Sequence, residues 1–189
     1  MHVEPHEDFE RIAAGLEACL GRATAWEGWV YRSAAPRYSG DGDIVTGEGS
    51  RRMGGRWNSP GAFRTIYASL HPETAMKEAL ATFRYYGWSL HGAMPRVFRA
   101  LDIRLGRVAS LRHRRVREHL SPWLKASLKE DWRALQTLGR ESTAQAIGRA
   151  AFRLGLEGIL VPSHAARAST NLVAFPDNLL PGSQIRADK

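Results

Sequence analysis

This chain of 189 residues is short of sulfur, of lysine and of long apolar runs, and each shortage excludes a class of protein. Its single cysteine, Cys19, rules out an internal disulfide framework, and the histidines are scattered without metal-ligand spacing, so no metal site is expected. A lone thiol also suits a reducing compartment, and the cytoplasm is the expected location. No apolar run approaches the length of a membrane span, and the first residues carry Glu4, Glu7, Asp8 and Glu10 where an export signal would have a basic start and an apolar core. No internal repeat, low-complexity segment or linker divides the chain. One domain over residues 1–189 is expected, with residues 1–25 supplying a helix that packs on it.

Lysine is confined to Lys77, Lys125, Lys129 and Lys189, so arginine carries the net charge of +8. Arg96, Arg99, Arg104, Arg107, Arg112, Arg114, Arg115 and Arg117 cluster in a stretch whose acids are Asp102 and Glu118. Such a patch raises one alternative, a nucleic-acid-binding module that grips phosphate backbone. That reading is disfavoured, because the patch lacks interleaved aromatic rings and no helix-turn-helix, RNP or KH signature is present. A basic surface equally attracts a small anionic ligand or an acidic protein partner.

The most informative stretch is Gly54-Gly55-Arg56-Trp57-Asn58-Ser59-Pro60-Gly61, followed by Arg64-Thr65-Ile66-Tyr67-Ala68-Ser69 and then Glu78. Paired glycines let a backbone bend and approach a ligand that a Cβ would hold off, and Arg56 brings a guanidinium suited to phosphate. Residues 64–70 read as a buried strand with Ile66 and Ala68 on one face and Tyr67 on the other, away from the apolar layer. Pro72-Glu73-Thr74 reads as a helix start. Ala75, Ala79 and Phe83 give that helix its packed stripe, with Glu78 beside the stripe where a carboxylate can border a cleft. Arg56, Tyr67 and Glu78 would thus converge from a loop, a strand and a helix.

Elsewhere, Phe9, Ile12, Ala13, Leu16 and Leu20 predict an amphipathic helix over residues 7–20. Strands are expected at 26–32, 96–105, 158–161 and 171–175, and helices at 120–138 and 143–154, the latter stopped by Gly155. Residues 33–52 read as a long loop, and 87–95 as a turn. This order of elements predicts an α+β domain with a mixed central β-sheet flanked by helices.

Taken in order, Tyr31-Arg32 after Gly28-Trp29-Val30, Gly55-Arg56-Trp57-Asn58, Tyr67-Ala68-Ser69, Ala75-Met76-Lys77-Glu78, Val161-Pro162-Ser163 and Asn171 resemble the RES domain family. This family provides the toxins of RES–Xre toxin–antitoxin systems and is similar in fold to diphtheria-toxin-like ADP-ribosyltransferases. The resemblance covers most of the chain. It implies an enzyme that breaks the nicotinamide–ribose bond of NAD, with NAD as substrate and no cofactor. It implies catalytic roles for Glu78, Arg56, Tyr67 and Ser163, with Arg32 and Arg56 on the phosphates and Tyr67 stacking on nicotinamide. Gly55, Trp57, Asn58 and Asn171 complete the substrate-binding set. It also implies a small Xre-like helix-turn-helix antitoxin as partner, and admits a homo-oligomer within that complex.

The chemistry fits these residue types. Departure of nicotinamide leaves an oxocarbenium-like ribose, whose charge an ionised carboxylate stabilises. A pyrophosphate and two flat rings call for guanidinium groups and aromatic platforms nearby. Each residue also has a plainer reading: Arg56 as a solvated loop arginine, Glu78 as a surface helix residue paired with Lys77 or Arg84, Tyr67 as strand packing, Ser163 as turn chemistry. Ser169 is a second candidate for the functional serine. Water, phosphate and a protein side chain all remain open as acceptors, and Met76, in place of a second carboxylate two residues before Glu78, lowers the protein-modifying transferase alternative.

Overall fold

The computed structural model describes residues 3–89, 91, 94–166 and 168–188. Its six strands are β1 (Thr24–Ala34), β2 (Ile66–Ser69), β3 (Val97–Ser110), β4 (Gly158–Pro162), β5 (Thr170–Ala174) and β6 (Gln184–Ala187). They hydrogen-bond in the order β1-β2-β5-β4-β3-β6, and β3 also pairs with β1, so five strands close into a ring with β6 added along β3. The β3–β4 pair is parallel and the other pairs are antiparallel, which makes the sheet mixed. The α+β expectation holds.

Around this ring lie α1 (Phe9–Glu17), α2 (Asp41–Ile44), α3 (Glu48–Met53), α4 (Pro72–Tyr85), α5 (Arg114–Lys129), α6 (Trp132–Thr137) and α7 (Thr143–Arg153). Helix α1 turns Phe9, Ile12 and Leu16, spaced three and four apart, onto α5 and α7. There they join Leu120, Ile147, Leu156 and Phe175 in one apolar cluster. A second cluster, with Val30, Ile66, Leu101, Ile103 and Leu172, fills the other side of the strands. No helix among the described residues is long and apolar enough to cross a membrane.

Three expectations need correction. Residues 33–52 are not a plain loop, because Asp41–Ile44 and Glu48–Met53 form short helices and Ile44 is buried against β-strand residues. Residues 120–138 are two helices rather than one. The break falls at Glu130-Asp131, where Asp131 Oδ1 caps α6 by accepting from the backbone N–H groups of Arg133 and Ala134. Glu130 turns away to accept from the Thr143 backbone N–H at 2.8 Å. Tyr67 does not face away from apolar packing, because both faces of β2 are covered: Ile66 and Ala68 enter one cluster and Tyr67 packs against the other. Strand β6 adds to the expected strands, its residues Gln184-Ile185-Arg186-Ala187 offering too short a pattern to read from sequence. Of the turn expected at 87–95, residues 90, 92 and 93 lie outside the described residues.

The arginine-rich stretch is also divided by the fold. Arg96 enters a cleft and donates to Ser33, Arg99 pairs with Asp41, and Arg104 with Glu27. Arg112 donates to the backbone oxygens of Ala168 and Ser169, and Arg114 pairs with Glu118 on α5. Charges that are contiguous in sequence serve separate local contacts.

Candidate active site

A cleft of about 670 Å³ opens between β1, β2, β5, the 53–57 loop, α4 and α6. That volume lies within the roughly 300–1,000 Å³ typical of ligand pockets. The loop at its floor is held by short-range geometry. Gly54 adopts φ +74°, and the Gly55 and Asn58 backbones pair with each other across a tight turn. A Cβ on Gly55 would lie 2.5 Å from the Tyr67 hydroxyl, so only glycine lets that hydroxyl reach the loop. Tyr67 then donates to Asn58 Oδ1 at 2.7 Å and accepts from the Trp57 backbone N–H at 2.9 Å. Asn58 in turn donates to the Ser50 carbonyl on α3.

Helix α7 supports the same loop from below. A Cβ on Gly148 would fall 1.8 Å from the Trp57 carbonyl oxygen, so the helix can approach only because that residue is glycine. Gln145, whose side chain completes a capping box with Ser142, also donates to the Gly55 carbonyl. The Trp57 ring is 5% exposed within the core, and Asn58 is fully buried. Trp57 and Asn58 therefore hold the loop in place while Arg56 points its side chain along the cleft, donating to the Ser127 carbonyl at 3.0 Å.

Glu78 stands at the other wall, on α4, and reaches the end of β4. Its Oε1 accepts from Ser163 Oγ at 2.7 Å, from Asn171 Nδ2 at 2.8 Å and from the Ala165 backbone N–H at 3.4 Å. Asn171 is itself oriented by Ser69, whose hydroxyl donates to Oδ1 at 2.8 Å. Oε2 has no hydrogen-bond partner among the described residues. One oxygen is anchored and the other is left for a ligand. Of the two candidate serines, Ser163 makes this contact, whereas Ser169 contributes its backbone carbonyl to the Ser163 N–H.

Among the described residues, four guanidinium groups line the cleft: Arg32, Arg56, Arg96 and Arg133. Burial lowers the affinity of Arg56 for its proton, and the Glu78 carboxylate opposes that effect while Arg133 adds to it. Burial does the same to Arg32, which donates to the Ile44 carbonyl. Both remain cationic at any physiological pH, since a guanidinium starts far above neutrality. Burial pushes the Tyr67 phenol well above its ordinary value, so it stays a donor. Partial burial, followed by the charges of Arg56 and Arg133, holds His164 below the usual imidazole value against the pull of Glu78. This environment favours the neutral imidazole. The cleft is cationic around one carboxylate, an arrangement that accepts a di-anionic ligand and stabilises positive charge at a single point.

The structure brings Arg32, Gly55, Arg56, Trp57, Tyr67, Glu78 and Asn171 into one cleft lining, with Ser163 and Asn58 directly behind it. Sequence reasoning missed Arg96, Tyr85, Tyr86, Trp132, Arg133 and His164. For Tyr85 and Tyr86 a signal existed, since they lie seven and eight residues after Glu78 and so on the same helical face. His164 adjoins Ser163. Nothing in the sequence links Trp132 and Arg133 to this place, because α6 arrives there only through tertiary packing. Among the described residues, no group of three or more His, Cys, Asp and Glu side chains is gathered as a metal ion would require.

The model of the RES domain matches residues 30–188. The chain is 29% identical over 149 residues to the NAD(+) phosphorylase MbcT of Mycobacterium tuberculosis, with 77% of this chain and 75% of that protein covered. The protein of the same name from Mycobacterium bovis gives the same identity and coverage. Among solved structures, the crystal structure of the M. tuberculosis MbcT–MbcA toxin–antitoxin complex superposes with a TM-score of 0.73 at 24% identity, over 95% of this chain and 90% of that one.

Proposed function

Since this chain belongs to the RES domain family, we propose that it is the toxin of a toxin–antitoxin pair and destroys NAD by breaking its nicotinamide–ribose bond. The observation that carries this reading is Glu78, anchored through Oε1 by Ser163 and Asn171 and open at Oε2, in a cleft lined by guanidinium groups. The pyrophosphate lies against Arg32 and Arg56, the nicotinamide ring against Tyr67, and the nicotinamide ribose against Glu78. As the C1–N bond lengthens, the pyridinium nitrogen takes the electron pair and leaves as neutral nicotinamide. The ionised Glu78 stabilises the positive charge that grows on the ribose. Ser163 and Asn171 keep the carboxylate aimed by holding its other oxygen, and Gly55, Trp57 and Asn58 fix the loop that presents Arg56.

Phosphate is the acceptor we favour over water, because the mycobacterial relatives are named phosphorylases and four arginines line this cleft. Attack of a phosphate oxygen on C1 forms ADP-ribose 1-phosphate, and the phosphate's proton goes to solvent. Met76, two residues before Glu78, leaves no carboxylate there to orient a protein acceptor, which argues against a transferase. NAD is the substrate, and no cofactor takes part. The partner is an Xre-like helix-turn-helix antitoxin that neutralises the enzyme by covering the cleft, a reading supported by the structural neighbour, which is a toxin–antitoxin complex. The enzyme acts in the cytoplasm, where its substrate is. Residues 1–189 form one RES-like domain, α1 being packed on α5 and α7.

Nicotinamide release from NAD by the purified protein, with phosphate present or absent and beside Glu78→Ala, tests this directly. Release that depends on both Glu78 and phosphate is the expected result. Release that ignores phosphate would make the enzyme a glycohydrolase, and no release under any condition would overturn NAD degradation.

A further inference from the structure

We propose that Tyr85, Tyr86 and Arg133 form the subsite for the adenine base, beside the C-terminal end of α4 and two to three helical turns beyond Glu78; this rests on the reading of NAD as the substrate. The placement follows from helix geometry. Glu78, Thr82 and Tyr85, spaced by four and seven residues, share one face of α4, Tyr86 follows as its C-cap and also lines the cleft, and the tyrosines lie about 11 Å along the axis from Glu78. A pyrophosphate-bridged pair of nucleosides covers that reach.

Two large rings are left open at this end of the cleft, Tyr85 at 44% and Tyr86 at 48% exposure. They are held rather than loose. The Tyr85 hydroxyl donates to Asp131 Oδ2 at 2.7 Å, and Trp88 stacks on Tyr86 with 4.7 Å between centroids and 22° between planes. The same Asp131 caps α6 and so sets the position of Arg133. The Arg133 guanidinium lies 4.7 Å from the Tyr85 ring centroid and 4.4 Å from that of Trp132, and donates to Thr82 Oγ1 at 3.3 Å. The result is a preformed aromatic and cationic surface facing the cleft. A purine base is flat and electron-rich, and it stacks on tyrosine rings and guanidinium planes alike. The nicotinamide end cannot use this surface, since the bond to be broken must lie at Glu78.

AMP carries the adenosine half alone, and nicotinamide mononucleotide carries the scissile bond without it, so together they separate this subsite from the reaction. AMP binding is measured by calorimetry on the wild type, Tyr86→Ala, Tyr86→Phe and Arg133→Ala, and kcat/KM is measured for NAD and for nicotinamide mononucleotide. Tyr86→Ala and Arg133→Ala are expected to weaken AMP by about ten-fold or more, and to lower the ratio of the two kcat/KM values by a similar factor. Tyr86→Phe, which keeps the ring, retains both. A wild type that does not bind AMP, or equal AMP affinity across the variants, overturns the subsite whatever the turnover. Failure of the wild type to release nicotinamide from either nucleotide would instead sink the enzymatic reading, and the AMP titration would still judge the subsite.

Discussion

Glu157 and Glu78 each accept three hydrogen bonds, yet one is a structural fixture and the other faces a ligand cleft. Glu157 is fully buried, and its carboxylate takes backbone N–H groups on both oxygens: Gly106 and Arg107 at Oε2, Leu180 at Oε1. It joins β3 at Gly106 and Arg107 to the segment before β6. Glu78 is only partly buried, and its three donors all converge on Oε1, two of them from the side chains of Ser163 and Asn171. The number of bonds is the same, and their distribution differs. A buried carboxylate bonded through both oxygens is committed to holding the chain, whereas one anchored through a single oxygen and open at the other is both aimed and available.

The largest expected effect breaks the first half of this contrast. Glu157→Ala strands three backbone donors in the interior, and at about 1–3 kcal/mol for an unsatisfied buried group the protein should lose about 4 kcal/mol or fail to accumulate in soluble form. Urea unfolding of any folded fraction, compared with wild type, measures this. The next effect belongs to activity. Glu78→Gln keeps the shape and an oxygen for Ser163 but removes the charge, so kcat should fall by about 10²–10³-fold while stability moves by less than ~1 kcal/mol.

Smaller effects sharpen the comparison by touching the groups that hold each wall of the cleft. In Tyr67→Phe the Trp57 N–H and Asn58 Oδ1 lose their shared hydroxyl, at a cost of about 1–2 kcal/mol in denaturant unfolding and with a raised KM for NAD. A stability loss with KM unchanged would mean that the loop does not need this hydroxyl to present Arg56. The smallest effect lies away from the cleft, at Asp177. Burial alone would raise its carboxyl, but the hydrogen bonds and charge of Arg64 bring it below its ordinary value of 3.8. A depressed folded value contributes stability above the unfolded pKa and loses it as pH falls through the folded one. Asp177→Asn should therefore flatten the stability profile only below about pH 4, and by less than ~1 kcal/mol because the pair is partly exposed.

The same contrast explains what could be read without the fold. The 54–78 stretch was legible because its pieces act locally: a glycine pair, an arginine, a short strand and a helix with Glu78 beside its stripe. Ser163 and Asn171 could be placed by resemblance, and the structure then brought both to one oxygen of Glu78. Glu157 gave no sign of its role, since its partners sit at residues 106, 107 and 180 and no local pattern connects them. Arg133 was invisible for the same reason, arriving at the cleft on a helix whose start is set by the Asp131 cap. Arg96, which clusters in sequence with the other arginines, lies just before β3 and enters the cleft against Ser33, because linear clustering of charge says nothing about where the fold aims each side chain.

The most direct test of the account is nicotinamide release by wild type and Glu78→Gln, each checked for an unchanged unfolding midpoint. Release by the wild type and a loss of at least about 100-fold in an equally stable variant are expected. A stable Glu78→Gln protein that releases nicotinamide at nearly the wild-type rate would contradict it, because the open oxygen of Glu78 would then have no part in the chemistry.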